Sequence, residues 1–150
     1  MWHLKRFDEL DTVELYAILK ERVDVFVVEQ NCSYPELDNI DFNSFHLFKK
    51  ENKEIAGYLR IIPPGNSHRS YRIGRVIVNK SFRQRGLGNE LMSRAMSFIL
   101  TEKKATMIEL SAQEYIQHFY ESHGFKPISD LYLEDGIPHV EMLYKKEEES

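Results

Sequence analysis

The segment Arg72-Ile-Gly-Arg-Val-Ile-Val78, followed after Asn79-Lys-Ser-Phe82 by Arg83-Gln-Arg-Gly-Leu-Gly-Asn89, decides how this chain is read. Its Ile/Val-rich half predicts a buried strand over Tyr71–Asn79. The following loop carries two glycines and opens a helix whose Leu87, Leu91, Met92, Ala95, Phe98 and Ile99 form one apolar stripe. Backbone N–H groups at a helix start lack internal partners and sit at the positive end of the macrodipole. Glycines let that backbone approach a ligand, and phosphate is the usual guest. Arg83, Gln84, Arg85, Gly86, Gly88 and Asn89 therefore form a candidate anion site, with the two arginines supplying charge.

The charge distribution agrees. The chain has 20 Lys+Arg against 24 Asp+Glu, a net charge of −4 that argues against nucleic acid as partner. From Ile55 to Asn89, however, there is no Asp or Glu, while Arg60, Arg69, Arg72, Arg75, Lys80, Arg83 and Arg85 all fall inside that stretch. A cation-only segment in an acidic chain suggests a local anion site, although a solvated basic face would look the same.

Working outward, Trp2–Phe7 alternates as a first strand, and Asp11 with Glu14 forms a capping box ahead of a helix through Phe26. Asn31–Asn43 reads as a loop. Phe45–Lys49 and Ile55–Ile62 read as strands around a polar turn, and Pro63-Pro64-Gly65-Asn66-Ser67 breaks the chain. Thr106–Ser111 is a further strand, and Tyr115–His123 a short helix stopped by Gly124. Ile128–Leu133 and His139–Tyr144 flank a Glu134-Asp135-Gly136 turn, and Lys145–Ser150 is a charged tail. The order β-α-β-β-β-α-β-α-β-β predicts a mixed α/β fold, a twisted sheet with parallel and antiparallel pairs flanked by helices. At 150 residues, 42% hydrophobic and 29% charged, residues 1–150 are expected to form one domain. Charges among the first ten residues and short apolar runs predict neither a signal peptide nor a membrane span, hence a cytoplasmic protein.

Several chemistries are disfavoured by motif. A P-loop needs Gly-Lys-Ser/Thr, which this turn lacks; a dinucleotide fingerprint needs a third glycine where Leu91 stands, although Glu109 falls where that fingerprint wants an acid. No HExxH, Cys/His framework or Gly-x-Ser-x-Gly elbow occurs, so neither a metal nor a serine nucleophile is expected. The lone Cys32 reads as a bystander thiol. By itself a Gly-x-Gly pair reads most simply as a tight turn.

Arg83-x-x-Gly86-x-Gly88 after a Val-rich strand, with Phe119-Tyr120-x-x-x-Gly124-Phe125 downstream, resembles the GNAT superfamily of N-acetyltransferases. The resemblance covers nearly the whole chain. Arg22-Val-Asp-Val-Phe-Val-Val-Glu-Gln30, then Pro35, Asp38, Asp41 and His46, and Asp135-Gly136-Ile137-Pro138-His139 are similar to its ElaA-like branch.

The resemblance implies an acetyl-CoA cleft where strands Tyr71–Asn79 and Thr106–Ser111 splay apart. The pyrophosphate would rest on the Arg83–Asn89 turn, and main-chain atoms of Val76 and Val78 would pair with the pantetheine arm. One of those N–H groups would polarise the thioester carbonyl. Gln113 stands where many relatives carry a cofactor-contacting Asn. Tyr120 would be the general acid that protonates the leaving thiolate; read from periodicity alone, it is a core aromatic. Glu109, Glu29, His46 and His139 are the candidate bases, with Glu29 and His139 placed on the substrate side. The implied activity is direct acetyl transfer to a primary amine of a small molecule or polypeptide, without a covalent acyl-enzyme. Glu29, Glu36, Asp38 and Asp41 would favour a cationic acceptor. A non-catalytic acyl-CoA-binding module, a nucleotide-binding domain, and a homodimeric assembly stay open at this level.

Overall fold

The computed structural model describes residues 1–32, 35–65 and 68–147. The expectations for Ser33–Tyr34, for Asn66–Ser67 and for the last three tail residues lie outside these.

Strand β1 (Trp2–Arg6) leads into helix α1 (Thr12–Val23). The expected capping box is present: the Glu14 N–H donates to Asp11 Oδ1 (2.7 Å), and the Asp11 N–H donates to Glu14 Oε1 (3.0 Å). The helix continues through Asp24–Glu29 with π-type winding, which carries Phe26 and Glu29 beyond the end of α1. Strands β2 (Phe45–Glu51), β3 (Glu54–Ile62) and β4 (Tyr71–Val78) follow as an antiparallel meander. Helix α2 (Leu87–Ser97) then crosses to β5 (Met107–Gln113), and α3 (Gln117–Glu121) precedes β6 (Lys126–Pro127), β7 (Tyr132–Glu134) and β8 (Ile137–Lys145).

The strands form one sheet in the order β1-β2-β3-β4-β5-β8-β6, with β7 also on β8. Alternation along the strands explains its two buried faces. Leu47, Leu59, Ile61, Ile73, Ile108 and Leu110 pack under the predicted stripe of α2, in which Leu91, Met92, Ala95 and Ile99 are fully buried. Phe48, Ile55, Tyr58 and Ile77 point the other way, beneath Ile18 of α1. Among the described residues no helix is long and apolar enough to cross a membrane.

The expected strand Ile128–Leu133 is not continuous. Lys126–Pro127 pairs with one end of β8 and Tyr132–Glu134 with the other. Between them the Ser129 hydroxyl oxygen accepts the Glu141 N–H (2.9 Å), taking the place of a ladder carbonyl. A side chain thus ends the pairing that alternation had extended.

A second feature escaped the periodicity. Arg22 of α1 is fully buried, and its guanidinium donates to Glu36 Oε2 (2.8 Å) and Asp41 Oδ1 (2.7 Å). Arg60 of β3 donates to Asp41 Oδ1 (3.1 Å) and to both oxygens of Asp38 (2.9 and 2.7 Å). Arg75 of β4 donates to Glu36 Oε2 (2.8 Å). Three arginines and three carboxylates thus bind the segment Glu36–Asp41 to α1 and the sheet. Buried ion pairs add little net stability, but removing one partner strands the others.

Replacing Asp11 with Ala removes the cap and is expected to cost about 1 kcal/mol, seen as a Tm drop of roughly 2–4 °C in calorimetry. Arg22→Ala leaves Glu36 and Asp41 short of a buried donor and is expected to cost about 3–5 kcal/mol in denaturant unfolding. Burial alone would raise the Asp38 carboxyl, but the Arg60 hydrogen bonds outweigh it and hold that carboxyl below its ordinary value. Its stabilising contribution is therefore full above the ordinary aspartate range and lost as pH falls through the depressed value. Asp38→Asn should be less stable at neutral pH and show a flatter acid limb in unfolding against pH.

Candidate active site

Two geometric facts make the site. Strands β4 and β5 are parallel neighbours only at Tyr71↔Ile108 and Arg72↔Glu109, after which β5 keeps to β8 and β4 diverges. On its other side β4 carries a bulge: Arg60 pairs with Gly74 and Tyr58 with Ile77, so Arg75 and Val76 share one partner. Arg75 has φ +54°, left-handed backbone that costs a non-glycine residue about 1–3 kcal/mol. Its ion pair with Glu36, and its guanidinium 5.6 Å from the centre of the Phe26 ring, hold it there.

The divergence opens a cleft of about 960 Å³. Gly74, Val76 and Val78 line one wall, with Ser111 and Gln113 from β5 opposite. Phe26, Glu29 and Gln30 close one side; Glu134, Ile137 and His139 of the β7–β8 hairpin close another. Gln30 and Gln113 exchange amide hydrogen bonds across it (3.4 Å each), and the Cys32 thiol reaches the Asp135 carbonyl (3.5 Å).

At the far end of β4 stands the glycine turn. Gln84 (φ +68°) and Gly86 (φ +73°) are both left-handed, and α2 starts directly after them. Among the described residues no side chain accepts from the N–H groups of residues 84–88, and nothing lies within 4 Å of where a Gly86 Cβ would be. The helix start therefore presents its donors outward. Gly88 serves packing: a Cβ there would sit 3.4 Å from the Phe119 ring of α3. Asn89 Oδ1 accepts from the ring of His123 in the turn after α3 (3.0 Å), fastening α2 to the same segment.

Arg83, expected beside phosphate, donates through Nε to the Val78 carbonyl (3.0 Å) and through both Nη atoms to Glu29 (2.8 and 3.0 Å). Arg85 is exposed, its guanidinium 5.4 Å from the Phe82 ring centre. Tyr120 is 5% exposed yet lines the cleft, with Phe119 and Phe125 edge-on to its ring. Its hydroxyl bonds to no other described residue. Burial pushes the phenol above its ordinary value, so it is fully protonated at neutral pH.

The candidate bases differ in surroundings. Glu109 is tied to Arg72 (3.0 Å), which also holds Glu141, and it is not part of the cleft wall. Arg83 holds the Glu29 carboxyl below its ordinary value, weakening it as a base. His46 is 1% exposed: its Nε2–H donates to the Asp41 carbonyl (3.0 Å) and its Nδ1 accepts from Tyr58 (2.7 Å). Burial lowers its pKa, so it is a neutral strand histidine enclosed in the core. His139 does line the cleft, its Nδ1–H on the Ile137 carbonyl (2.7 Å) and its Nε2 3.3 Å from Glu134. Glu29, Glu36, Asp38 and Asp41, expected to draw a cationic acceptor, are each engaged by an arginine. The acid-rich stretch 36–41 set against the cation-only stretch 55–89 was the one sequence sign of this pairing.

The sheet is not the mostly parallel, doubly wound sheet of a dinucleotide-binding domain, since β4–β5 is the one parallel pair among the described strands. Residues 16–146 match the family model for an acetyltransferase (GNAT) domain. A UPF0039 protein of Schizosaccharomyces pombe is 47% identical over 140 residues, 92% of each chain. The ElaA protein of Escherichia coli is 38% identical over 143 residues, 94% of each chain, and its crystal structure superposes with a TM-score of 0.90 over 97% of this chain and 99% of that one. An acyl-CoA N-acyltransferase from Pseudomonas aeruginosa gives a TM-score of 0.91 at 38% identity, covering 96% of this chain and 98% of that one. Matched by that model over residues 16–146 and by these relatives over nearly its whole length, this chain belongs to the GNAT acetyltransferase family.

Proposed function

We propose that the protein transfers an acetyl group from acetyl-CoA directly to the primary amine of a small molecule or polypeptide. The observation that carries this reading is the continuity of the cleft: it runs from Arg83 and from Gly88 in the first turn of α2, along Val78 and Val76, to the buried phenol of Tyr120. That path suits a long ligand with a diphosphate at one end and a thioester at the other. Bound acetyl-CoA would supply an activated acyl carbon with a thiolate leaving group.

The residues divide the work as follows. N–H groups of Gly86 and the first turn of α2 take the diphosphate, with Arg85 supplying charge. Val76 and Val78, freed from β5 by the divergence, offer main-chain donors and acceptors to the amides of the pantetheine arm. The Val76 N–H, displaced by the bulge, polarises the acyl carbonyl and takes up the negative charge that grows on its oxygen. The acceptor amine forms the new N–C bond while the C–S bond breaks, its electron pair going to sulfur. Tyr120 O–H donates its proton to that sulfur. His139 is the base, taking the proton released by the amine at Nε2 as Glu134 yields its place; it is the one candidate both on the cleft wall and free of an arginine. Gln113 holds Gln30 until the acceptor enters.

Stabilisation by acetyl-CoA in thermal unfolding, with none by NAD, is the first expected outcome; the reverse would end the reading. CoA release with a panel of amines tests turnover. Tyr120→Phe and His139→Gln should each lower kcat by about 10²- to 10⁴-fold while acetyl-CoA affinity, followed by calorimetric titration, holds. Tight acetyl-CoA binding with no CoA formed in the presence of any amine on the panel would instead mark a non-catalytic binding module.

A further inference from the structure

We infer that Arg60 forms a carboxylate subsite at the acceptor end of the cleft, so that the amine acceptor is of amino-acid type, with its acid group a few bonds from the reacting nitrogen. This rests on the transferase reading above but on a different observation. A guanidinium has five N–H donors in a fixed plane. Three hydrogen bonds use up its outer end and far side: Nη1 to Asp38 Oδ1 and Asp41 Oδ1, and Nη2 to Asp38 Oδ2. Planar geometry puts the remaining two donors, Nε–H and the second Nη2–H, along a single edge. That pair is the side-on fork that matches the two oxygens of a carboxylate.

Among the described residues Arg60 Nε is the one buried side-chain nitrogen or oxygen without a hydrogen-bond partner, in a residue only 4% exposed. Leaving a charged donor dry and unpaired is costly, and native structures rarely do so without a use. The neighbour across the strand pair explains where the edge faces. Gly74 is the register partner of Arg60, both line the cleft, and, chain neighbours aside, the single atom of the described residues within 4 Å of where a Gly74 Cβ would stand is Arg60 Nε, at 3.9 Å. Residue 74 therefore has no side chain to cover this donor.

Position then selects the ligand. Gly74 precedes Val76 by two residues, about 6–7 Å of extended strand, less where the strand bulges. An acid group on the fork and an acyl carbon at Val76 are thus spaced for an amine and a carboxylate within one small molecule. Charge permits it as well. Arg22, Arg60 and Arg75 meet Glu36, Asp38 and Asp41 three against three, and Arg83 meets Glu29, so these four carboxylates are neutralised beside the fork and leave, among the described residues, Glu134 and Asp135 of the β7–β8 hairpin as the acids on the cleft wall without an arginine.

The test uses matched probes: alanine against ethylamine, and phenylalanine against phenethylamine. In nitrogen-15 arginine side-chain spectra, the Arg60 Nε–H resonance should shift on titration with an amino acid and stay put with the decarboxylated partner. Gly74→Ala, whose methyl fits in ordinary contact but covers Nε, should abolish the shift and keep acetyl-CoA affinity. CoA release should favour the acid over its amine by at least about tenfold in kcat/KM, a difference of about 1.4 kcal/mol, and that preference should vanish in Gly74→Ala. An Arg60 resonance unmoved by both acids, or moved equally by the amines, overturns the proposal, because the donor then serves only an internal water. If amines without an acid turn over while Arg60 stays silent, the subsite fails and the transferase stands. If the acids shift Arg60 but no CoA is released, the subsite stands and the transferase reading fails.

Discussion

The structure depends on a pairing that is started and then given up. Strands β4 and β5 share two rungs and separate, and the separation leaves main-chain donors and acceptors of β4 facing a cavity instead of a ladder. Buried backbone groups are almost always paired, so a strand in this condition is built to receive something. The bulge at Arg75–Val76 serves the same end from the opposite edge, turning the strand away from regular pairing with β3 along the cleft wall.

Keeping two strands apart in a small domain requires a wedge and a brace. The wedge is the aromatic group of α3, with Tyr120 and Phe119 filling the space below the divergence and Phe119 seated on Gly88. The brace is the arginine–carboxylate network, which fastens Glu36–Asp41 between α1 and the sheet and fixes the left-handed Arg75. Apolar packing could supply comparable stability, but it would not set direction so tightly, since a guanidinium accepts partners only in its plane. Arg83 and Glu29 link the glycine turn to the end of the α1 extension, so the wall expected to meet the acceptor is joined to the wall expected to meet the diphosphate.

Much of this was legible in the residues. The strand–glycine turn–helix unit, the Asp11 capping box and the apolar stripe of α2 are local patterns, decided by neighbours within a turn or two, and they appear where periodicity put them. Tyr120 could be placed on a helix after β5, yet its periodicity pointed to the core, and it is in fact both buried and on the cleft wall. The broken strand at 128–131 was not legible, because the Ser129 hydroxyl that interrupts the ladder looks like any polar residue in an alternating run.

Local rules written in the residues were enough for the order of elements through α3, the mixed sheet and the place of the outward-facing helix start, because each follows from short-range hydrogen bonding and burial. Which charges cancel was settled by the packing of distant segments. Arg22 and Asp41 are nineteen residues apart, Arg83 and Glu29 fifty-four, and no pattern of spacing tells a paired carboxylate from one that faces a substrate. Electrostatic partnership is set by distance in space and by exclusion of water, and both arise once the chain has closed on itself.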